Sequence, residues 1–377
     1  MAKAADVVIV GGGIIGAATA YHLGLQGISS VVLERGEIGR EASGRNAGTF
    51  NLLNDRIADD RPLNLLRKAL GRWHDLSEEL GYDLEVDLTL GTLLLGEAEQ
   101  DHARLMELKG LYAGKGIELD LLDRQALGDT KSFVGPHVQG ALFCAYGGMA
   151  NPRQAAWAFA NRAKDLGARF ETGTDVVSVE RRGDRFSIQT RHGAYDAAKV
   201  VLAAGPWTNA LLAPYGYQVP LRIRYFQASV TAATDYFLPH CIRRVGGMIT
   251  LKQTRRGNCI LGGGWQGHSH FPAPGAISEE ALRGNMEIAA RVVPRYGSLS
   301  MLRVWGGYDG SSIDEQPVID EVPGVPGLVV ATGSSGGFTH GPVFGEMIAD
   351  LLTGHTDRHE YDRFTFARFG EKALVTA

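Results

Sequence analysis

The residues of this 377-residue chain best suited to chemistry stand near its start, where Gly11, Gly13 and Gly16 of GGGIIG occupy the positions of a GxGxxG motif. Glycine at that spacing supplies a tight turn, a backbone that can approach a pyrophosphate, and close packing of helix on strand. A helix opening there aims its first amides and its positive dipole end at an anion, with Ile14 and Ile15 in its first turn. Glu34 follows eighteen residues after Gly16. A carboxylate at that distance can accept both ribose hydroxyls of an adenosine and repels a 2′-phosphate.

Three further segments share the small, glycine-rich character of a ligand-wrapping backbone. EASGRNAGT (41–49) can enclose a flat ligand, with Ser43 and Arg45 able to meet a phosphate or a ring edge. VVLAAGPWTN (200–209) ends a strand in Ala203, Ala204 and Gly205 before Trp207, and small residues at a strand end allow backbone contact in the crevice. ATGSSGGFTHGPVFGEMIADLL (331–352) runs a glycine-rich loop into a helix, a second dipole site. His340 can position an amine or a carboxylate, or bond its own loop. The Tyr308 hydroxyl can bind a carboxylate, or its ring can pack. Arg222, Arg224 and Arg303 are the cations able to grip a carboxylate in bidentate fashion, each equally suited to a sheet surface. His268 and His270 form an HxH with no supporting carboxylate pattern, so no metal is expected.

These groups need elements to position them. DVVIV (6–10), the helix-like GAATAYHLGLQG and SSVVLER make a βαβ unit, the building block of a parallel sheet. An amphipathic helix is predicted over 62–81, short strands over 83–96, a helix over 97–116 and a strand over 138–144. Pro152 opens and Gly167 closes a further helix. Strands return over 168–202, a mostly antiparallel sheet is predicted from 219–265 and 299–308, and LVVATG (328–333) precedes a helix from about 342 to 353. Nucleotide-type βα elements thus lie at the start, middle and end of the chain, separated by two strand-rich insertions.

Composition narrows the function classes. The chain is 44% hydrophobic and 21% charged, an ordinary globular balance, and its length exceeds what one core usually serves, so two domains are expected. A net charge of −4 gives no electrostatic footprint for nucleic acid. No apolar stretch reaches the length of a membrane span. The apolar start is interrupted by Asp6 and preceded only by Lys3, and reads as a buried strand instead of a signal peptide. Three scattered cysteines, Cys144, Cys241 and Cys259, argue against a disulfide framework, a zinc site or an iron–sulfur cluster within the chain. Reduced thiols fit a cytoplasmic protein.

Taken together, GGGIIG with Glu34, SGRNAG and GSSGGFTHGP resemble the FAD-dependent D-amino acid oxidase superfamily, which includes glycine oxidase, sarcosine oxidase and D-amino acid dehydrogenases. The likeness runs from about residue 5 to residue 353. It implies an α/β architecture: a discontinuous Rossmann-type FAD-binding domain (1–85, 145–220 and 318–377) and a second, α+β substrate domain (86–144 and 221–317) on a mostly antiparallel sheet. By the same resemblance Gly11 to Gly16 bind the FAD pyrophosphate. Glu34 holds the ribose beside Arg35, and Ser43, Gly44, Arg45, Asn46, Ala47, Gly48 and Thr49 line pyrophosphate and flavin. Val176 meets the adenine, while Ala204, Gly205, Trp207 and Gly307 border the cofactor. Gly336, Gly337, Phe338 and Thr339 donate to the pyrimidine end of the flavin. Substrate-facing candidates are Phe50, Asn51, Arg224, Trp265, Tyr308 and His340, the last two also being the catalytic candidates.

The segments GNMEIAARVVP and RVWGGYDGSSIDEQPVID look most like the β subunits of heteromeric sarcosine oxidase, D-hydroxyproline dehydrogenase and opine oxidase. That likeness implies hydride transfer from an amino-acid C–N carbon to flavin N5, with the imine then hydrolysed. It also implies partner subunits of a heteromer. Three departures stand out. Asp309 takes the place where D-amino acid oxidases carry a carboxylate-binding arginine, so a substrate carboxylate is held elsewhere or by another chain. No cysteine lies near 310–316 to attach a flavin, as in monomeric sarcosine oxidases, so FAD is expected to be non-covalent. Pro152 stands where sarcosine oxidase β carries FMN on a histidine, so FMN or an iron–sulfur cluster is expected only at or from partner subunits. A self-sufficient, peroxide-forming oxidase and a non-catalytic flavin-binding subunit are the alternatives.

Overall fold

A computed structural model describes residues 3–53, 61–247, 249–355 and 362–375. The strand Lys3–Val10 forms the middle of an α/β sheet, hydrogen-bonded in parallel to Ser30–Leu33 on one side and Gly193–Leu202 on the other. Arg169–Glu171 and Leu328–Thr332 extend the parallel run, and Val318–Glu321 closes it antiparallel. Parallel strands are buried on both faces, and the buried runs here, Val7–Val10, Val31–Leu33, Val200–Leu202 and Leu328–Ala331, are apolar. Val7 and Ile9 point into one core with the helices, Val8 and Val10 into another, as the two-residue period of a strand requires.

On the first face lie the helices Ile14–Leu25, Pro152–Asp165 and Gly337–Thr353. The opposite face carries the antiparallel ribbon Val176–Arg182 and Arg185–Thr190, with Phe186 and Ile188 buried against the sheet. The helix Arg61–Leu80 packs Leu66, Trp73 and Leu76 onto the helical layer, as its amphipathic pattern predicts.

The second sheet has eight strands among the described residues. Met301–Ser312, Leu221–Thr231, Cys259–Gly262, Thr250–Gln253, Cys241–Arg244, Thr92–Gly96, Gly140–Cys144 and Asp120–Asp123 follow one another across it. Every neighbouring pair is antiparallel except Cys241–Arg244 beside Thr92–Gly96. The helix Glu279–Val292, capped by Ser278, covers it.

Two elements differ from their sequence reading. Of the strands expected over 83–96, only Thr92–Gly96 forms. The Asp83 carboxylate accepts the Glu85 amide at 2.8 Å, and the Asp87 carboxylate accepts the Thr89 amide at 3.0 Å. These local turns outcompete a ladder. The last long helix begins at Gly337 instead of 342, so Pro342 lies inside it. Trp73 Nε1 donates to the Thr339 carbonyl at 2.7 Å and so ties this first part of the helix to the helix Arg61–Leu80.

Gly345 sets how closely that helix approaches the first one. A Cβ there would stand 2.4 Å from the Ala18 Cβ and 2.6 Å from the Ala18 carbonyl carbon, an approach no side chain can share. Gly345→Val is therefore expected to destabilise the chain by about 1–3 kcal/mol. The denaturant midpoint should fall, because the two helices must part to admit the side chain.

Candidate functional site

The carboxyl ends of the parallel strands converge on one cleft of about 580 Å³, the place where open α/β sheets receive ligands. After Val10 the chain turns through Gly11, whose φ is +110° and whose added Cβ would lie 2.4 Å from the Ala203 carbonyl. Only glycine meets both demands. The turn delivers Gly13, Ile14 and Ile15 to the cleft wall at the helix N-terminus. Ser43 Oγ accepts the Ile14 amide at 2.9 Å and joins the 41–49 loop to this turn.

Glu34, at the end of the second strand, lines the cleft beside Arg35, Thr174, Asp175 and Val176. Its carboxylate accepts the Gly12 and Gly36 amides, each at 2.7 Å, one on each oxygen. Each oxygen keeps a second lone pair for a ribose hydroxyl. The Arg35 guanidinium lies 3.7 Å from the centre of the Trp207 ring and pairs with Glu41 at 3.4 Å. Ala204, Gly205 and Trp207 form the adjoining wall, while Asn46, Ala47, Gly48 and Thr49 form the wall further along. Gly336, Gly337, Phe338 and Thr339 also line it, at the N-terminus of the helix Gly337–Thr353.

The arrangement fits a dinucleotide such as FAD. A carboxylate stands in the wall, a helix N-terminus with no side chain at its Gly13 cap sits beside it, and a second helix N-terminus lines the same cleft. Both helix ends favour negative charge. Gly11 to Ile15 and Ser43 would hold a pyrophosphate, Glu34 a ribose, Val176 an adenine, and Ala47 to Thr49 with Gly336 to Thr339 a flavin ring.

Four residues read as cofactor contacts lie one layer behind the wall. Gly16 packs under Gly11, and Gly44 packs against Gly39. Gly307 faces the Arg45 side chain, and Arg45 turns away from the cleft. Its Nε donates to the Arg40 carbonyl at 2.8 Å and its Nη1 to the Gly306 carbonyl at 2.7 Å.

None of the six substrate-facing candidates lines the cleft. Phe50 is fully buried, stacked on Phe338 and packed against Trp73, because the strand Thr49–Asn51 alternates its side chains and sends Phe50 into the core. Asn51 spends its amide on Thr49 and Thr92. The Tyr308 hydroxyl donates to the Ala273 carbonyl at 2.7 Å and accepts the His270 amide at 2.9 Å, so it fastens the 270s loop. Trp265 packs over Gly284 of the helix Glu279–Val292. The His340 ring lies 5.5 Å from Phe344 with Nδ1 at 3.2 Å from the Gly336 carbonyl. Burial lowers its pKa to about 4, so at neutral pH it is an uncharged brace of its own loop. Arg224 pairs with Asp309 at 3.1 Å behind the wall. Arg222 and Arg303, like His268 and His270, are exposed. Among the described residues no group of His, Cys, Asp or Glu side chains could hold a metal ion. Burial pushes Cys144 and Cys259 up to about 11 and Cys241 to about 12, which keeps all three as thiols.

The structure adds Lys252, which no sequence signal distinguished. In the strand Thr250–Gln253 its alternation reads as a solvent-facing position, yet it is 2% exposed. Its Nζ donates to the Gly48 carbonyl at 2.9 Å, directly behind the cleft wall.

The chain matches the family described as FAD dependent oxidoreductase over residues 6–351. It is 26% identical to the sarcosine oxidase subunit beta of an Arthrobacter species, across 99% of this chain and 93% of that one. It is 30% identical to the glycine oxidase of Pseudomonas aeruginosa, across 92% and 94%. Among solved structures, the glycine oxidase from Geobacillus kaustophilus superposes with a TM-score of 0.92 at 23% identity, covering 97% of this chain and 99% of that one.

Burial lowers the Lys252 pKa from its ordinary 10.5 to about 8. Below pH 8 the lysine is charged in both folded and unfolded chains, and the folded state bears the full cost of burying it. As pH rises from about 8 to 10.5 the folded chain sheds that proton first, so this group adds stability across the window. Lys252→Met is expected to melt higher than the parent below pH 8, since Gly48 keeps its bond from the Ala150 amide at 2.9 Å. The advantage should shrink through that window in thermal melts followed against pH.

Proposed function

The chain belongs to the FAD dependent oxidoreductase family, and from that premise we propose that it oxidises the carbon–nitrogen bond of an amino acid, either a D-amino acid or an N-substituted one. The observation carrying this reading is the convergence of Glu34 and two helix N-termini on one cleft. The sarcosine and glycine oxidases among its relatives support an amino-acid substrate. FAD, when bound, supplies a two-electron acceptor for an amine C–H bond.

The protein's part is binding, orientation and electrostatics. The Gly13 and Ile15 amides hold the pyrophosphate, the Gly11, Gly12 and Ile14 amides being engaged by the Leu33 carbonyl, Glu34 and Ser43, and Glu34 fixes the adenosine end through its ribose. The N-terminal amides around Gly336 to Thr339 favour negative charge in the same cleft. Small residues at Ala47, Gly48 and Gly205 let the backbone approach a flat ring closely, while Phe338, backed by Phe50 and Trp73, keeps the loop rigid.

In this reading the chain is the catalytic subunit of a heteromer, supported by its likeness to a protein named as a beta subunit. A self-sufficient oxidase is the second reading, favoured by the likeness to a single-name glycine oxidase over nearly the whole chain. Peroxide formed under air by the purified chain alone would favour the second.

The test is the visible spectrum of the flavin-loaded chain titrated anaerobically with D-amino acids, sarcosine, proline derivatives and N-carboxyalkyl amino acids. Bleaching by one class is the expected result and identifies the substrate. A flavin that stays oxidised against the whole panel counts against turnover by this chain alone.

A further inference from the structure

The second sheet and the 270s loop beside it reach the cleft wall through only Pro272, Asp309 and Gly310 among the described residues, and Asp309 is the one that ionises. Asp309 lies on the strand Met301–Ser312. Two residues later Ser311 bridges to Gly333, and the Ser312 amide donates to the Gly333 carbonyl at 2.8 Å. Gly310 packs against Pro206, so Asp309 is fixed in the wall between Pro206 and Gly333. Among the described residues Arg35 is the single cation of the wall, and it is already engaged, stacked on Trp207 at 3.7 Å and paired with Glu41 at 3.4 Å.

The carboxylate is held by design of its neighbours. Ser311 Oγ donates to Asp309 Oδ2 at 2.7 Å, and Arg224 Nη2 donates to the same oxygen at 3.1 Å. Oδ1 makes no hydrogen bond among the described residues. The Arg224 guanidinium sits off the wall, 4.9 Å from the centre of the Phe226 ring, and so orients the carboxylate from behind. The pair presents an acceptor to the cleft and keeps its cation away from it.

Resting on the amine-oxidation reading above, we propose that Asp309 is a specificity-determining residue that receives a cationic group of the substrate, an ammonium or a guanidinium, through Oδ1. The site then selects substrates bearing positive charge near the reacting carbon. A carboxylate placed against the same oxygen meets like charge.

The experiment uses the flavin-loaded full chain and two unreactive probes of similar length, n-butylguanidinium and butyrate. Binding is read from the perturbation of the flavin spectrum and, separately, from the shift in melting temperature. The parent chain is expected to bind n-butylguanidinium more tightly than butyrate. Asp309→Asn should weaken n-butylguanidinium roughly ten- to hundredfold, the range of one hydrogen bond to a charged group, with butyrate unchanged or improved. Tighter binding of butyrate by the parent chain overturns the proposal, as does an Asp309→Asn affinity for n-butylguanidinium within about twofold of the parent's. Should Asp309→Asn fail to fold, the comparison of the two probes on the parent chain decides alone. If the amino-acid panel leaves the flavin oxidised while n-butylguanidinium still binds through Asp309, the oxidation reading fails and the cation site stands. If the panel bleaches the flavin and butyrate is preferred, the reverse holds.

Discussion

The contact between the helices Ile14–Leu25 and Gly337–Thr353 is the constraint on which the site depends. Gly345 seats against Ala18 and Gly341 against Ile14, closer than any side chain would permit. The two helices come from opposite ends of the chain, and their contact brings both N-termini to a single cleft. Two positive dipole ends side by side repel each other modestly, and the wall around them is rich in acceptors. Ser43 occupies one helix amide, Glu34 occupies two turn amides, and an anionic dinucleotide completes the balance.

The second sheet is tied to this frame through the loop 41–49. Arg45 donates to the Gly306 carbonyl while Trp305 Nε1 donates to the Arg45 carbonyl at 2.8 Å, a reciprocal clasp between loop and strand. Lys252 adds a bond from the same sheet to Gly48. A loop lining the cleft is thus held from behind by the second sheet. The cost is a buried amine whose charge the folded chain bears at neutral pH.

Much of this was legible in the sequence because it rests on backbone. The glycine turn, Glu34, the 41–49 loop and the Gly336–Thr339 turn all reach the cleft, since glycine spacing and strand ends dictate where backbone can meet a ligand. Side chains were harder to place. Phe50 and Asn51 follow the wrapping loop directly, but strand alternation carries Phe50 into the core, and Asn51 bonds its neighbours. Tyr308 spends its hydroxyl on Ala273, 35 residues earlier in the chain, a contact that no local pattern announces. Lys252 gave no signal, because burial on both faces of a strand depends on a loop two hundred residues away. The start of the last helix was set late by Pro342, which reads as a helix opener although tertiary packing through Trp73 holds the turn before it.

A cleft that reads both ends of a flavin dinucleotide, Glu34 the adenosine and Gly336 to Thr339 the flavin, must separate FAD from FMN. The most direct measurement is the affinity of the flavin-free chain for FAD and for FMN, made on the parent and on Glu34→Ala. FAD should bind far more tightly than FMN to the parent, and Glu34→Ala should narrow that gap by weakening FAD alone while the fold persists. Equal affinity of the parent for FAD and FMN, or full retention of FAD by Glu34→Ala after extensive dialysis, would show that Glu34 does not hold the adenosine end.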